Sequence, residues 1–306
     1  MNAAVPDPDE STVLPSAQSS APVAAATPRR RSHLADRLRL FALMAYGLVG
    51  AFGLIALRVP SLKRRMTDQD LSSTLLSPLS DGYLLGTDVL GRDFVWRLIG
   101  GLGVSLAVGL SAAALSIGLG LLLGILGGFY GRSAAATTSV LIDLTWAFPA
   151  ILLAIVFAGW LGPGLRAVVL ALALTGWAAF ARIVRGEVLS LREREFIAAA
   201  RVLGVPKRVV AVRHLIPNLI PLTLVMSVFF VATSIVAEAG LSFLGLGAQG
   251  STPSLGIILS DGRDYLTVTA WPVVLAGGVL TGLVLLLNSL SDSLRDRFDP
   301  HRRHDA

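Results

Sequence analysis

The chain has no cysteine, which excludes disulfides, thiolate metal sites and a cysteine nucleophile. It is almost without lysine, for among its 26 basic residues only Lys63 and Lys207 are not arginine. A phosphate-binding P-loop needs a lysine between a glycine and a Ser or Thr. Lys63 follows Leu62 and Lys207 follows Pro206, so the chain does not hydrolyse ATP by that route. Histidine is scarce and scattered (His33, His214, His301, His304), which leaves no metal-ligating spacing. Charge as a whole is thin: 15% of the 306 residues are charged and 54% hydrophobic, where soluble domains carry roughly 25% charged residues. So much apolar surface cannot be hidden from water behind so few charges. The net charge of +6 therefore belongs with a membrane rather than with nucleic acid. The composition is that of an integral membrane protein.

What is present in quantity is uncharged sequence. Stretches without Asp, Glu, Lys or Arg run 40–57, 98–131, 144–165, 167–181, 214–237, 239–260 and 265–291. A helix needs about 20 apolar residues to cross a bilayer, and a charge at its centre is costly. Six stretches give spans at 40–58, 99–128, 137–160, 165–184, 218–238 and 271–291, the fourth extended past Arg182, whose long side chain can snorkel. The stretch 239–260 contains Leu-Gly-Leu-Gly-Ala-Gln-Gly-Ser-Thr-Pro and reads as a loop, partly re-entrant, not a lipid-facing helix. An even number of spans puts both ends on one side. Most Lys and Arg fall in the two tails, the 2–3 loop and the 4–5 loop, which the positive-inside rule assigns to the cytoplasm. Lys63-Arg64-Arg65 in the outer 58–97 loop runs against that trend. Residues 1–35 read as a disordered cytoplasmic tail of Ala, Ser, Pro and Thr. Arg29-Arg30-Arg31 anchors the first span; no small-residue cleavage site follows it to make a secretion signal.

The ionisable residues near the spans are Asp143 and Glu238, both read as interface residues at span ends. This is too little for the buried relay of a proton-coupled carrier. Gly245-Leu246-Gly247-Ala248-Gln249-Gly250 matches the dinucleotide fingerprint in letters but follows no strand and opens no helix. Gly240-Leu241-Ser242-Phe243-Leu244 lacks the second glycine of a nucleophile elbow.

One cytoplasmic segment stands apart, Leu189–Pro217, reading LSLREREFIAAARVLGVPKRVVAVRHLIP. Leu189 to Leu203 has helical composition with three successive alanines. Gly204 suits a C-terminal cap and Pro206 the first turn of a second helix. Two short helices at a tight bend, rimmed by Arg192, Arg194, Arg201, Lys207 and Arg208, would transmit a partner's rigid-body movement into spans four and five. A solvated basic loop that only obeys the charge rule is the other reading.

This segment resembles the coupling loop of ABC importer permeases, whose pattern is Glu-Ala-Ala, three residues, Gly, then nine residues and a short stretch ending in Pro. Ala199, Ala200, Gly204 and Pro217 match it; the glutamate position is Ala198, and Glu195, one helical turn back, can stand in. Three further stretches are similar to the C-type permease of dipeptide/oligopeptide importers, a family with nickel-transporting members. They are Leu85–Asp93, Glu238–Gly247 with Thr252-Pro253-Ser254 and Gly262-Arg263, and Leu294–Pro300; Asp143 with Phe148-Pro149 also fits.

The resemblance implies an all-α membrane protein with six transmembrane helices of the type I ABC importer kind. It places a permease domain at 36–300, a cytoplasmic coupling loop at 185–217, an extracytoplasmic loop at 239–270 and a tail at 301–306. ATPase coupling falls to Glu195, Ala198, Ala199, Ala200, Arg201, Gly204 and Pro217. The implied partners are a homologous B-type permease, two ATP-binding subunits that hold ATP and Mg, an extracytoplasmic substrate-binding protein and membrane lipid. The chain itself needs no cofactor, and its place is the bacterial cytoplasmic membrane. Dipeptides or short oligopeptides are the leading cargo; nickel, haem or another small solute is the alternative. An independent secondary carrier is the alternative from another class. Ser105, Ser111, Ser116, Thr223, Ser227, Gly277, Gly278 and Gly282 read as packing or channel positions, and none is assigned to substrate.

Overall fold

The computed structural model describes residues 33–80 and 82–298. Most of the 1–35 tail, Arg29–Arg31, the 301–306 tail, and Asp299 and Pro300 of the last motif lie outside the described residues. Apart from the loop 68–93 and shorter connections, the described residues are helical: α1 His33–Ala56, α2 Pro60–Thr67, α3 Phe94–Phe129, α4 Arg132–Trp146, α5 Ala150–Leu161, α6 Leu165–Arg192, α7 Glu195–Val202, α8 Lys207–Val210, a π-helical turn Ala211–Leu215, α9 Ile216–Phe243, α10 Leu255–Arg263 and α11 Trp271–Phe298. Five helical stretches are long and apolar enough to cross a membrane: within α1, α3, α6, the continuous run Lys207–Phe243, and α11. The bent pair α4–α5 makes a sixth if it counts as one span.

The third stretch differs from the continuous span read over 137–160. α4 and α5 meet at 88°, and Pro149 is the reason. It lacks an N–H and disfavours helical backbone at Phe148, so α4 closes with Ala147 N–H donating to Asp143 O at 2.9 Å and α5 starts afresh. Proline shapes the fifth stretch differently. Pro217 would press its ring on the Arg213 carbonyl, and the wider π turn over Ala211–Leu215 absorbs that without breaking the rod. The stretch 239–260 is not all loop: α9 continues to Phe243, and Ser254 caps α10 by accepting from Ile257 N–H at 3.2 Å. Nor do residues 189–203 form one helix, since α6 stops at Arg192 and α7 starts at Glu195.

α3, 36 residues long, is the axle of the bundle and is built to be approached. A Cβ on Gly120 would stand 2.7 Å from Phe180 Cβ, on Gly124 2.8 Å from Val184 Cβ, and on Gly128 2.7 Å from Val188 Cγ1. Glycines four apart on α3 thus face bulky residues four apart on α6. In lipid, where apolar burial gives helices no preference for each other, such close van der Waals contact is what joins them. Ser116 lies in the same seam and donates to Leu172 O at 3.4 Å. The other faces of α3 pack on α1, α9 and α10. Of the remaining small residues, Ser105 is buried, Ser111 exposed, Thr223 and Ser227 back-bond within α9, and Gly282 faces the Tyr46 hydroxyl.

Candidate functional site

At one end of α9 stands the elbow. α7 ends in a Schellman turn: Val205 N–H donates to Ala200 O and Gly204 N–H to Arg201 O, each at 3.0 Å. That turn requires a left-handed residue, and Gly204 supplies it at φ +73°. The inner side of the elbow is anchored, with Ile197, Ala200, Val210, Ala211 and Leu215 buried in the main core. Phe196 lies 6.4 Å, ring to ring, from His214, and Arg201 sits over the Phe129 ring at 5.6 Å, so the π turn and the far end of α3 are both held. Among the described residues the outer side has no partner. Val202 and Leu203 are 88% and 80% exposed, among exposed Arg194, Arg201, Lys207 and Arg208. Glu195, Ala198, Ala199 and Gly204 are exposed on this elbow, while Ala200 faces inward. Pro217 is not part of it; it lies beyond the π turn at the start of α9.

At the other end the chain forms two polar ties. In the first, Asp88 and Asp261 bracket two buried arginines. Arg92 Nε is 2.6 Å and Arg97 Nε 2.9 Å from Asp88 Oδ2; Arg97 Nη2 is 3.0 Å and Arg92 Nη2 3.3 Å from Asp261 Oδ2. Asp88 Oδ1 also accepts from the backbone N–H of Leu90 and Arg92, each at 2.9 Å. Burial pushes the Asp261 carboxyl above its usual range, against the pull of Arg97 and Arg92. The glycines of this loop are required: Gly86 and Gly91 both have φ +70°, and a Cβ would strike the carbonyls of Leu76 and Asp70. In the second tie, fully buried Glu238 accepts from Ser105 Oγ at 2.7 Å and Ser242 Oγ at 2.6 Å. Ser105 Oγ accepts in turn from Leu255 N–H at 3.2 Å, which fastens the first turn of α10 to α3 and α9. Glu238 is therefore not the interface residue that its place in the sequence suggests. Asp143 is exposed and paired with Arg182 at 2.9 Å, and Arg182 stacks on Trp146 at 4.1 Å.

The family described as binding-protein-dependent transport system inner membrane component matches residues 120–304, which include the elbow, Glu238 with Ser242, and α11. The chain belongs to this family. Among relatives of this permease, the dipeptide transport system permease protein DppC of Alkalihalophilus pseudofirmus is 35% identical over 276 residues, 90% of this chain and 91% of that one. The nickel transport system permease protein NikC of Escherichia coli K12 is 38% identical, covering 76% of this chain and 83% of its own. In solved structures, an inward-facing MetNI methionine ABC transporter matches with TM-score 0.54 at 22% identity, over 66% of this chain and 97% of that one. That likeness speaks for the fold, which is the type I ABC importer arrangement. The chain is a multi-pass permease subunit of the ABC transporter family, an inner membrane component rather than an enzyme. The permease's two ties escaped sequence reasoning because their members lie far apart, 133 residues between Ser105 and Glu238 and 164 between Arg97 and Asp261. A usable signal was the spacing of Glu238 and Ser242, one turn apart on one helical face. The letters Gly245 to Gly250 are structural: Gly245, at φ +82°, ends α9 in a second Schellman turn, with Leu246 N–H donating to Leu241 O at 3.0 Å.

Proposed function

We propose that the chain forms half of the membrane passage of an ATP-driven importer of dipeptides and short oligopeptides. The observation that carries this reading is the elbow: a rigid turn, anchored on its inner side, that presents bare Val202 and Leu203 in a basic ring to something outside the chain. Relatives named for dipeptide, di/tripeptide and oligopeptide transport support the cargo. The partners are a homologous B-type permease, two ATP-binding subunits that hold ATP and Mg, and an extracytoplasmic binding protein. The elbow and both chain ends face the cytoplasm. Glu195, Ala198, Ala199, Ala200, Arg201 and Gly204 form the docking turn; Glu195 takes the part of the glutamate missing at Ala198, and Pro217 sets the start of the rod that receives the movement. Nickel is the second reading, favoured by the likeness to NikC.

The test is co-purification from native membranes. The wild-type chain brings a second permease and ATPase subunits, and the product hydrolyses ATP. Val202→Glu with Leu203→Glu loses the ATPases but keeps the second permease and the melting temperature, because both side chains are exposed among the described residues. A chain that purifies alone and moves solute into liposomes without ATP overturns the reading in favour of a secondary carrier.

A further inference from the structure

The 88° break between α4 and α5 leaves an opening that no tie described above fills. Its walls are the bend, the middle of α6 and the middle of α9, and it encloses about 350 Å³, within the about 300–1,000 Å³ of small-molecule sites. No charged side chain lines it; hydroxyls and aromatic rings do. Thr145, Thr175 and Thr233 each donate to a carbonyl of their own helix, at 2.9, 3.0 and 3.0 Å. With the proton so engaged, each oxygen keeps lone pairs only. The Ser234 hydroxyl has no hydrogen bond among the described residues. The chamber thus offers three oxygens that can only accept and one hydroxyl, Ser234, that can also donate, without a fixed charge.

A second cavity of about 320 Å³ adjoins it on the elbow side, lined by Asp143, Arg182, Arg185 and Ser139. Ala179 lines the first cavity and Arg182 the second, less than one turn apart on α6. Here the chemistry reverses. Arg185 donates to Ser139 Oγ, but among the described residues its Nε is buried without a partner, and Arg182 is held only by exposed Asp143 and the Trp146 ring. One cavity therefore wants N–H donors and the other wants an anion. Along α6 the step from Thr175 to Arg182 is about 10 Å at about 1.5 Å per residue. An extended peptide of two or three residues covers about 7–10 Å.

We propose that these two cavities are this subunit's share of a transmembrane site for zwitterionic short peptides. The α-ammonium and main-chain N–H groups meet the hydroxyls of Thr145, Thr175, Thr233 and Ser234. The terminal carboxylate meets Arg182 and Arg185, competing with Asp143. Peptide side chains meet only neutral walls, so the site reads the two ends and the length, not the sequence. This deepens the peptide-importer reading and rests on it.

The test uses the importer assembled with its partner subunits. ATP-dependent dialanine uptake into liposomes is measured first; its absence overturns the importer reading and this inference with it. With uptake established, Ser234→Cys and, separately, exposed Thr233→Cys place a single thiol in a chain that has none. The complex in nanodiscs is treated with a charged, water-soluble thiol reagent. Dialanine at about two to nine times its dissociation constant is expected to slow labelling about three- to tenfold by occupancy, and its C-terminal amide at the same concentration to protect less. Arg185→Gln is expected to erase the difference between acid and amide. Intact uptake with labelling that neither dialanine nor its amide alters, or with no labelling at all at either position, overturns the site and leaves the importer reading standing. Equal protection by acid and amide while Arg185 is retained, or a difference that persists in Arg185→Gln, overturns the carboxylate assignment.

Discussion

Replacing Glu238 by alanine removes the acceptor of two hydroxyls at once. Ser105 Oγ and Ser242 Oγ belong to fully buried side chains and have neither water nor lipid headgroup to turn to. A buried donor left unpaired costs about 1–3 kcal/mol, so the two together cost about 2–6 kcal/mol, and the void under the shortened side chain adds to it. A second effect opposes the first, because keeping a carboxylate out of water is itself unfavourable and its removal returns part of that. Two variants separate them. Glu238→Gln keeps the shape and one acceptor oxygen but drops the acid; Glu238→Ala drops everything. If the hydroxyls outweigh the acid, Gln melts within about 3 °C of wild type and Ala about 5–20 °C below it, at about 2–4 °C per kcal/mol. The assay is heating of the detergent-solubilised, fluorescently tagged chain, followed by size-exclusion chromatography. An alanine variant as stable as wild type would show that the carboxylate is a burden on the fold and not its tie. Equal losses in both variants would place the effect in the acid itself.

Gly124→Leu is expected to cost about 1–3 kcal/mol or more by overpacking, since its Cβ meets Val184 Cβ at 2.8 Å and the Ala181 carbonyl at 2.9 Å. Gly118→Leu, on the same helix with nothing within 4 Å, gains up to about 1 kcal/mol from helix propensity; matched melting curves that show equal losses refute the seam. Asp261 titrates above its usual 3.8 in the fold, so folding favours its proton, and its contribution to stability declines as pH rises from the unfolded value through the folded one. Asp261→Asn lacks that decline and should gain on wild type across the interval in pH-dependent melting; the opposite trend refutes the assignment. Glu195→Ala is expected to weaken co-purification of the ATPases more than Glu193→Ala, whose carboxylate pairs with Arg192; equal loss would deny Glu195 the docking role.

The long helices and the elbow were legible because their signals are local. A bilayer demands uninterrupted apolar runs, and Gly204 before Pro206 marks a stop and a restart within three residues. The bend in the third stretch went unread although its signal was also local, since Pro149 announces a break; apolar length alone outweighed it. The two ties were hidden for another reason. Asp88 and Arg92 sit in one loop, but Asp261 reaches them only after the bundle has closed, and Glu238 has a buried partner on α3 that no periodicity of α9 can announce. The paired cavities were equally out of reach, because a void belongs to the packing of several helices and to no one of them.

The glycine seam between α3 and α6 has a mechanical consequence. Joined along Gly120, Gly124 and Gly128, the two helices cannot slide past or bend away from each other without separating backbones in close contact. α6 stops two residues before α7, Phe129 at the end of α3 lies under Arg201, and at the opposite end Arg97 and Gly101 grip α10. The elbow and α10 are thus bolted to the two ends of one girder. At about 1.5 Å per residue α3 is about 54 Å long, and pivoting it by about 10° at the elbow carries its far tip about 9 Å. A small displacement where the chain docks is geared up where it opens, with no elastic part in between.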